Sequence, residues 1–270
     1  MLHTQLVGAG RPRVGYLHGL FGRGTNWNGI ARALAAEDQP GVLIDLPNHG
    51  HSPWTPTFDY LAMADAVAAE IEERMGSAAG LTLVGHSMRG KVAMLVALRA
   101  PHLVKGLVVV DIAPGVSAQV VTSVPLVAAM RALDLTGTEN RRAADAAMAL
   151  RVDDPAVRQF LLQNLKLIPR VPATGPGPRW RWEVNLDLLG DSLAGVASWP
   201  EIGGSYPGDV LWVAGAESPY IQPEHEPAMR ALFPNVRQVT IAGAGHWVHA
   251  DQPDALVAAL RGFLSRPSPR

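Results

Sequence analysis

Three short segments of the chain carry residue types that can do chemistry together. Gly85-His86-Ser87-Met88 follows an apolar run and opens a helical pattern. A serine on such a tight strand-to-helix turn holds its Oγ above the sheet, and the next backbone N–H, here Met88, points toward an oxyanion forming on an attacked carbonyl. Taken alone, the tetrapeptide reads equally well as a helix with a serine N-cap. His18-Gly19 ends an earlier apolar run and continues as Leu20-Phe21-Gly22. That loop offers a second oxyanion donor, the Leu20 amide, although in isolation it is an ordinary glycine turn. His246 lies in the turn Gly243-Ala-Gly-His-Trp-Val-His249, just before the last helical pattern. A histidine there can bring Nε2 within reach of the serine as a general base, with His249 as its competitor.

These residues need a frame that brings them to one edge. Short apolar runs at Val14–Leu17, Val42–Ile44, Leu81–Val84, Leu107–Val110, Val210–Ala214 and Val236–Ile241 are β-rich and hydrophobic on both faces. They predict buried parallel strands. Helical periodicities lie between them: Met63, Val67, Ile71 and Met75; Val92, Leu95, Val96 and Leu98; and Leu256, Val257, Leu260, Phe263 and Leu264. Alternating strand and helix implies an α/β fold, a mostly parallel sheet flanked by helices, with its chemistry at the carboxyl ends of the strands. The alternation stops over residues 115–205, which read as helices at 125–133, 139–150, 154–168 and 183–196 without strands between them. Val157, Phe160, Leu161 and Leu165 form one apolar face, and the Pro/Gly-rich loop Pro169–Pro178 separates two helices. Residues 115–205 are therefore expected to form a helical cap over a core made of 1–114 and 206–270.

Bulk properties narrow the classes. The 270 residues include 48% hydrophobic and 17% charged positions, with net charge -1. This suits one large α/β domain and gives no electrostatic reason to expect nucleic acid or an anionic membrane as partner. Cysteine is absent, so disulfides and thiolate metal sites are excluded. The first residues lack the apolar core of a signal peptide, and no run of about 18 apolar residues suggests a membrane span, so a soluble cytoplasmic protein is expected.

Five segments in order resemble the α/β-hydrolase esterases, with the YbfF-type and ABHD-type members nearest: Leu17-His-Gly-Leu-Phe-Gly22, Asp45-Leu-Pro-Asn-His-Gly50, Val84-Gly-His-Ser-Met88, Val110-Asp-Ile-Ala-Pro114 and Gly243–His249. The likeness runs from about residue 14 to 264 and includes Arg181–Asp187 in the cap. It implies the α/β-hydrolase fold and cofactor-free hydrolysis of a carboxylic ester through a serine, a histidine and an acid; short- to medium-chain acyl esters are the expected substrates, no metal site is expected, and amides, lactones and thioesters share the mechanism as alternatives. Many α/β-hydrolases take the acid after the strand ending near Gly215, where Glu217 stands; the resembled group takes it from Val-Asp-Ile, which is Asp111. Asp111 is the expected acid because the whole local motif matches. Catalytic roles thus fall on Ser87, His246 and Asp111, and the oxyanion donors on Leu20 and Met88. Phe21, Trp182, Tyr220 and Trp247 are expected to line the acyl pocket. Trp27, Trp180 and Trp199 share that possibility with ordinary core packing.

One position departs from the pattern. Gly-x-Ser-x-Gly has Arg89 where its last glycine belongs. A large side chain there must reach solvent, line the site with positive charge or distort the turn, unless Gly90 relieves the crowding. A ligand-binding protein of the same fold, weakened by Arg89, is the non-enzymatic alternative. On this basis Arg89→Gly is expected to preserve or raise activity. Gly85-x4-Gly90-Lys91 also has P-loop spacing, but Val92 stands where a Mg²⁺-binding Ser or Thr belongs. His49 and His51, two apart, lack a third ligand in the sequence.

Overall fold

A computed structural model describes residues 1–75, 80–168 and 180–266; the Pro169–Pro178 loop lies outside the described residues. The nine strands described are β1 (Thr4–Val7), β2 (Val14–Leu17), β3 (Gly41–Ile44), β4 (Leu81–His86), β5 (Val104–Val110), β6 (Leu165–Leu167), β7 (Trp180–Trp182), β8 (Asp209–Gly215) and β9 (Val236–Ile241). Seven form one sheet in the order β1-β3-β2-β4-β5-β8-β9. Only β1 runs antiparallel, pairing Thr4 with Ile44 through Val7 with Gly41. The six predicted strands are all present, and β1 is added to them. Its Gln5 and Leu6 are exposed, as expected at an edge, so it lacks the double-sided apolar run that marks the central strands.

Alternate residues of each central strand feed opposite faces of the sheet. Leu83, Leu107, Val109 and Trp212 pack with α2 (Tyr60–Met75) and α3 (Met88–Arg99). Val84, Val108, Val110 and Val213 pack with α1 (Asn28–Ala35) and the C-terminal helix Pro253–Leu264. Val84, Val108, Val109, Val110 and Val213 are fully buried, which at about 1.5–3 kcal/mol per side chain makes the sheet the stable platform under the loops.

Residues between β5 and β8 build a third core around Met130, Met148, Leu161, Leu165, Trp180 and Val184. Helices Ser123–Arg131, Arg141–Met148 and Pro155–Leu162 occupy it, followed by Leu186–Asp191 and Leu193–Ala197. The expectation of helices alone is corrected here. β6 and β7 pair antiparallel, Leu165 with Trp182 and Leu167 with Trp180, and the helix expected over 154–168 stops at Leu162. Asn164 ends it: its carbonyl accepts from the Glu183 amide, so the backbone leaves the helix for the hairpin. This insert rests on the loops at the carboxyl edge of the sheet. Asn164 Nδ2 donates to the Phe21 carbonyl (2.6 Å), the Asn185 amide to the Asn48 carbonyl (2.9 Å), and Arg23 to Glu183 (2.8 Å).

β4 passes into α3 through a single residue, Ser87. Close approach across that junction depends on two glycines. A Cβ at position 85 would stand 2.4 Å from the Arg89 carbonyl oxygen, and one at position 90 would stand 2.5 Å from Ile112 Cγ2. The need for a small residue thus falls on Gly85 and Gly90, and position 89 is free to carry a side chain. Gly85→Ala is expected to destabilise the protein by about 1–3 kcal/mol through overpacking against backbone, read as a lowered midpoint in urea unfolding. Gly262→Ala, with open space around its Cβ, is the control expected to hold the midpoint.

Candidate active site

Ser87 adopts φ 55° and ψ -132°, a left-handed conformation that an L-residue keeps only when its surroundings over-determine it. The Ser87 amide donates to the Val110 carbonyl (2.9 Å), and the Ser87 carbonyl accepts from the Gly90 amide (2.7 Å). The turn is therefore pinned from β5 and from α3, and it presents Oγ to a cavity above the sheet. Asp111 is the first residue after β5 and also has positive φ, at 53°. Its amide donates to the Val213 carbonyl of β8 (2.8 Å), which fixes the carboxylate beside the loop after β8.

A continuous chain of hydrogen bonds joins the three segments. His246 Nε2 lies 2.8 Å from Ser87 Oγ, and His246 Nδ1 lies 2.7 Å from Asp111 Oδ2. Asp111 is fully buried. Its Oδ1 accepts from the Gly215 amide (3.0 Å), and its Oδ2 also accepts from the Ser218 hydroxyl. With Asp111 accepting from Nδ1–H, Nε2 is the ring nitrogen left to accept from the serine hydroxyl. Tyr220 stacks on the imidazole with centroids 3.6 Å apart and planes 13° apart, and His86 Nε2–H donates to the His246 carbonyl (2.7 Å). His246 is held on its face, at its backbone and at both ring nitrogens.

Of the two acids in question, Asp111 meets the histidine, and Glu217 is exposed. His249 does not compete with His246. It stacks on Trp27 (5.0 Å) and packs against His86 (4.8 Å), with its pKa pushed down to about 4 by burial.

The Leu20 and Met88 amides have no protein acceptor among the described residues, and both residues line the cavity above Ser87. Met88 is the first residue of α3, where amides lack an intrahelical acceptor and the helix dipole favours negative charge. Leu20 sits in the tight turn 19–22, whose Phe21 has φ 58°. His49 Nε2 accepts from the Phe21 amide (3.3 Å) while its Nδ1–H donates to the Pro47 carbonyl (3.1 Å). Gly19 is required in this turn, because a Cβ there would stand 2.7 Å from His86 Nδ1.

The cavity has a volume of about 430 Å³. Leu20, Phe21, Leu126, Val157, Phe160 and Trp247 supply much of its apolar wall, with Ser87, Tyr220 and His246 at the reacting end. Phe21, Tyr220 and Trp247 are thus brought together as expected. Trp182 is not: it is buried in the core of the insert, where β7 turns its side chain inward. Trp180 likewise donates to the Thr138 carbonyl (2.8 Å), and Trp27 to the Leu17 carbonyl (3.1 Å), so both are structural. Phe160 is the aromatic that the insert contributes to the cavity, and in the sequence it shows only as part of an amphipathic stripe. Ser218 and His86 carry no local signal, because each acts through a partner that the fold brings to it, Asp111 and the His246 carbonyl. A second cavity, of about 600 Å³, lies at the opposite end of the strands, against Thr82, Lys105, Gly106 and Asp209.

Arg89 does not leave by either expected exit. Its side chain is fully buried and it is not among the residues lining the cavity. Nη1 donates to the Gly19 carbonyl at 2.5 Å. His49 and His51 part company: His49 is buried, whereas exposed His51 meets His3 and Asp45, with ligand-capable atoms within 4.8 Å of one another. The Asp45 carboxylate there already accepts from the Gly24 amide (2.7 Å) and the His51 amide (3.1 Å), and its charge acts on Arg89. It is committed to the loops under the site.

Residues 12–253 match the family described as alpha/beta hydrolase fold. The chain belongs to this family. Within it, the chain is one of the YbfF- and ABHD-type esterases. It is similar to the sn-1-specific diacylglycerol lipase ABHD11 of Mus musculus, at 37% identity over 94% of this chain and 81% of that protein. It is similar also to the esterase YbfF of Escherichia coli (strain K12), at 33% identity over 92% of this chain and 91% of that one. A solved structure named as a marine microorganism esterase superposes with a TM-score of 0.89 at 31% identity, covering 97% of this chain and 98% of its own. No helix among the described residues is long and apolar enough to cross a membrane.

Three buried histidines and the half-buried His249 surround the site. Burial holds His18, His49 and His86 well below their usual pKa, with Arg89 adding to the effect on each, and takes His249 to about 4. Unfolded, each takes up a proton near pH 6.5. Below that pH the unfolded chain binds more protons than the folded one, so stability falls with pH through this window. The thermal midpoint should therefore drop steadily from about pH 7 to pH 4.5; a flat or rising midpoint in calorimetry would contradict the neutral assignments.

Proposed function

We propose that the protein is a serine carboxylesterase acting on short- to medium-chain acyl esters. The observation that carries this reading is the unbroken chain Ser87 Oγ, His246, Asp111 opening onto an apolar cavity. His246 Nε2 accepts the Ser87 proton as Oγ bonds to the ester carbonyl carbon. Negative charge moves to the carbonyl oxygen, where the Leu20 and Met88 amides receive it, and Asp111 stabilises the imidazolium. The imidazolium then protonates the departing alkoxide as the C–O bond breaks, leaving an acyl-serine. A water, deprotonated by the same imidazole, adds to the acyl carbon; as the second tetrahedral species collapses and its bond to Oγ breaks, the imidazolium returns the proton to Ser87 and the acid is released.

Residues 115–205 act in this scheme as a cap that supplies one wall of the acyl site, through Leu126, Val157 and Phe160. A volume near 430 Å³ suits a modest acyl chain with its alcohol. The binding-only reading has lost its motive, since the Arg89 charge does not enter the cavity. No step calls on a metal or cofactor.

Turnover of p-nitrophenyl esters of graded chain length tests the reading. Ser87→Ala should lower kcat by about 10⁴-fold or more while the protein stays folded; undiminished turnover would sink the assignment. Asp111→Asn should cost a comparable factor, about 10⁴, by presenting the wrong histidine tautomer. Glu217→Gln, at an exposed position, should leave kcat within about twofold. The reverse ranking in steady-state assays would move the acid to Glu217.

A further inference from the structure

The Gly19 carbonyl is held more firmly than any turn carbonyl requires. Three donors converge on it: the Gly22 amide (3.0 Å), His18 Nδ1–H (3.0 Å) and Arg89 Nη1 (2.5 Å). The other ring nitrogen of His18 accepts from the Leu46 amide at 3.4 Å, which fixes the tautomer that donates to Gly19. Carbonyl Gly19 and amide Leu20 belong to one planar, trans peptide unit. Holding the oxygen therefore fixes the N–H in the opposite direction, and Leu20 lines the cavity above Ser87. A cationic donor on the oxygen also draws electron density from the peptide nitrogen, so the N–H becomes a stronger donor in its turn.

We infer that Arg89 is a positioning residue for oxyanion binding: its buried guanidinium, through the Gly19 carbonyl, aims and strengthens the Leu20 N–H. The inference rests on the reading of Ser87 as nucleophile and of Leu20 as an oxyanion donor. It reverses the expectation that replacing Arg89 by glycine preserves or raises activity. Three features of the surroundings suit the role. Burial lowers the Arg89 pKa to about 9, which leaves it charged at neutral pH. His18 and His49, beside it, are neutral and add no competing charge. Asp45 supplies the compensating field while its own oxygens stay bonded to the Gly24 and His51 amides, so it does not draw the guanidinium into a salt bridge. The family pattern places glycine at 89, where the peptide is held without this cation; here Gly90 meets the steric need and Arg89 adds an electrostatic one.

Arg89→Met keeps the length and apolar stem of the side chain while removing its charge and donors. With p-nitrophenyl butyrate, kcat should fall about 10- to 100-fold, less than the loss of a whole oxyanion donor, with KM within about twofold. Affinity for a trifluoromethyl ketone, which forms an oxyanion on the serine, should weaken by the same factor. Selective ¹⁵N-leucine labelling should show the Leu20 amide signal moving upfield, and the thermal midpoint should hold or rise because a buried charge has gone. Arg89→Lys should fall between wild type and Arg89→Met in all three functional readouts, and it carries the test if Arg89→Met does not fold. A folded variant with kcat and ketone affinity within about threefold of wild type, or with an unmoved Leu20 signal, overturns the inference. Ser87→Ala is run beside them. Turnover surviving in Ser87→Ala overturns the esterase reading itself, whereas Ser87-dependent turnover that ignores Arg89 overturns only the role given to Arg89.

Discussion

The site depends on a backbone that turns the wrong way at three neighbouring strand ends. β2, β4 and β5 lie side by side in the sheet, and after them come Phe21, Ser87 and Asp111, each with φ between 53° and 58°. An L-residue in that region costs on the order of 1–3 kcal/mol. Each is held there by bonds from a different element: Phe21 by His49 and Asn164, Ser87 by Val110 and Gly90, and Asp111 by Val213. Each sharp turn swings a functional group over the edge of the sheet where a regular strand would carry it away. The proposed nucleophile, its proposed acid and the cavity wall at Phe21 are products of the same device, used three times on a rigid parallel platform.

Charge is managed around this device by keeping it buried and few. His18, His49 and His86 are neutral through burial, and each uses its two ring nitrogens, or one of them, to fasten backbone rather than to titrate. Arg89 is the buried cation beneath the 19–22 turn. Lys91, which gives the segment its resemblance to a phosphate loop, has another task. Its Nζ donates to the Ala197 and Ser198 carbonyls, both at 2.8 Å, and so caps the end of the helix Leu193–Ala197. Burial takes its pKa to about 7. The lysine ties the nucleophile helix to the insert above it.

The insert and the 19–22 turn are therefore one mechanical unit. Asn164, where the expected long helix breaks, grips the Phe21 carbonyl. Phe21 itself packs in the insert's own core with Leu161, Leu165 and Trp182. The insert thus meets the 19–22 turn directly through Asn164, and Trp182, although no part of the pocket wall, belongs to the same core as Phe21, which is.

What the sequence determined by itself was whatever local pattern dictates. Six apolar runs specified the central strands, because residues buried on both faces have no other pattern to show. Gly85-x-Ser87, His18-Gly19 and the turn holding His246 specified the reacting groups, because their chemistry needs short motifs of fixed spacing. Residues whose role comes from partners far along the chain were silent. The β1 edge strand lacks a double-sided pattern, and β6 and β7 exist only because they pair with each other. Ser218 matters only because β5 lies beside β8, and Trp182 points inward only because the hairpin turns it. Likeness to the family points to Asp111 rather than Glu217, yet the geometry that joins it to His246 spans 135 positions of chain. Arg89 is the clearest case. Its own motif made it a steric fault, and only the tertiary structure, by bringing Gly19 within 2.5 Å of its guanidinium, made it a support for the peptide across from Ser87.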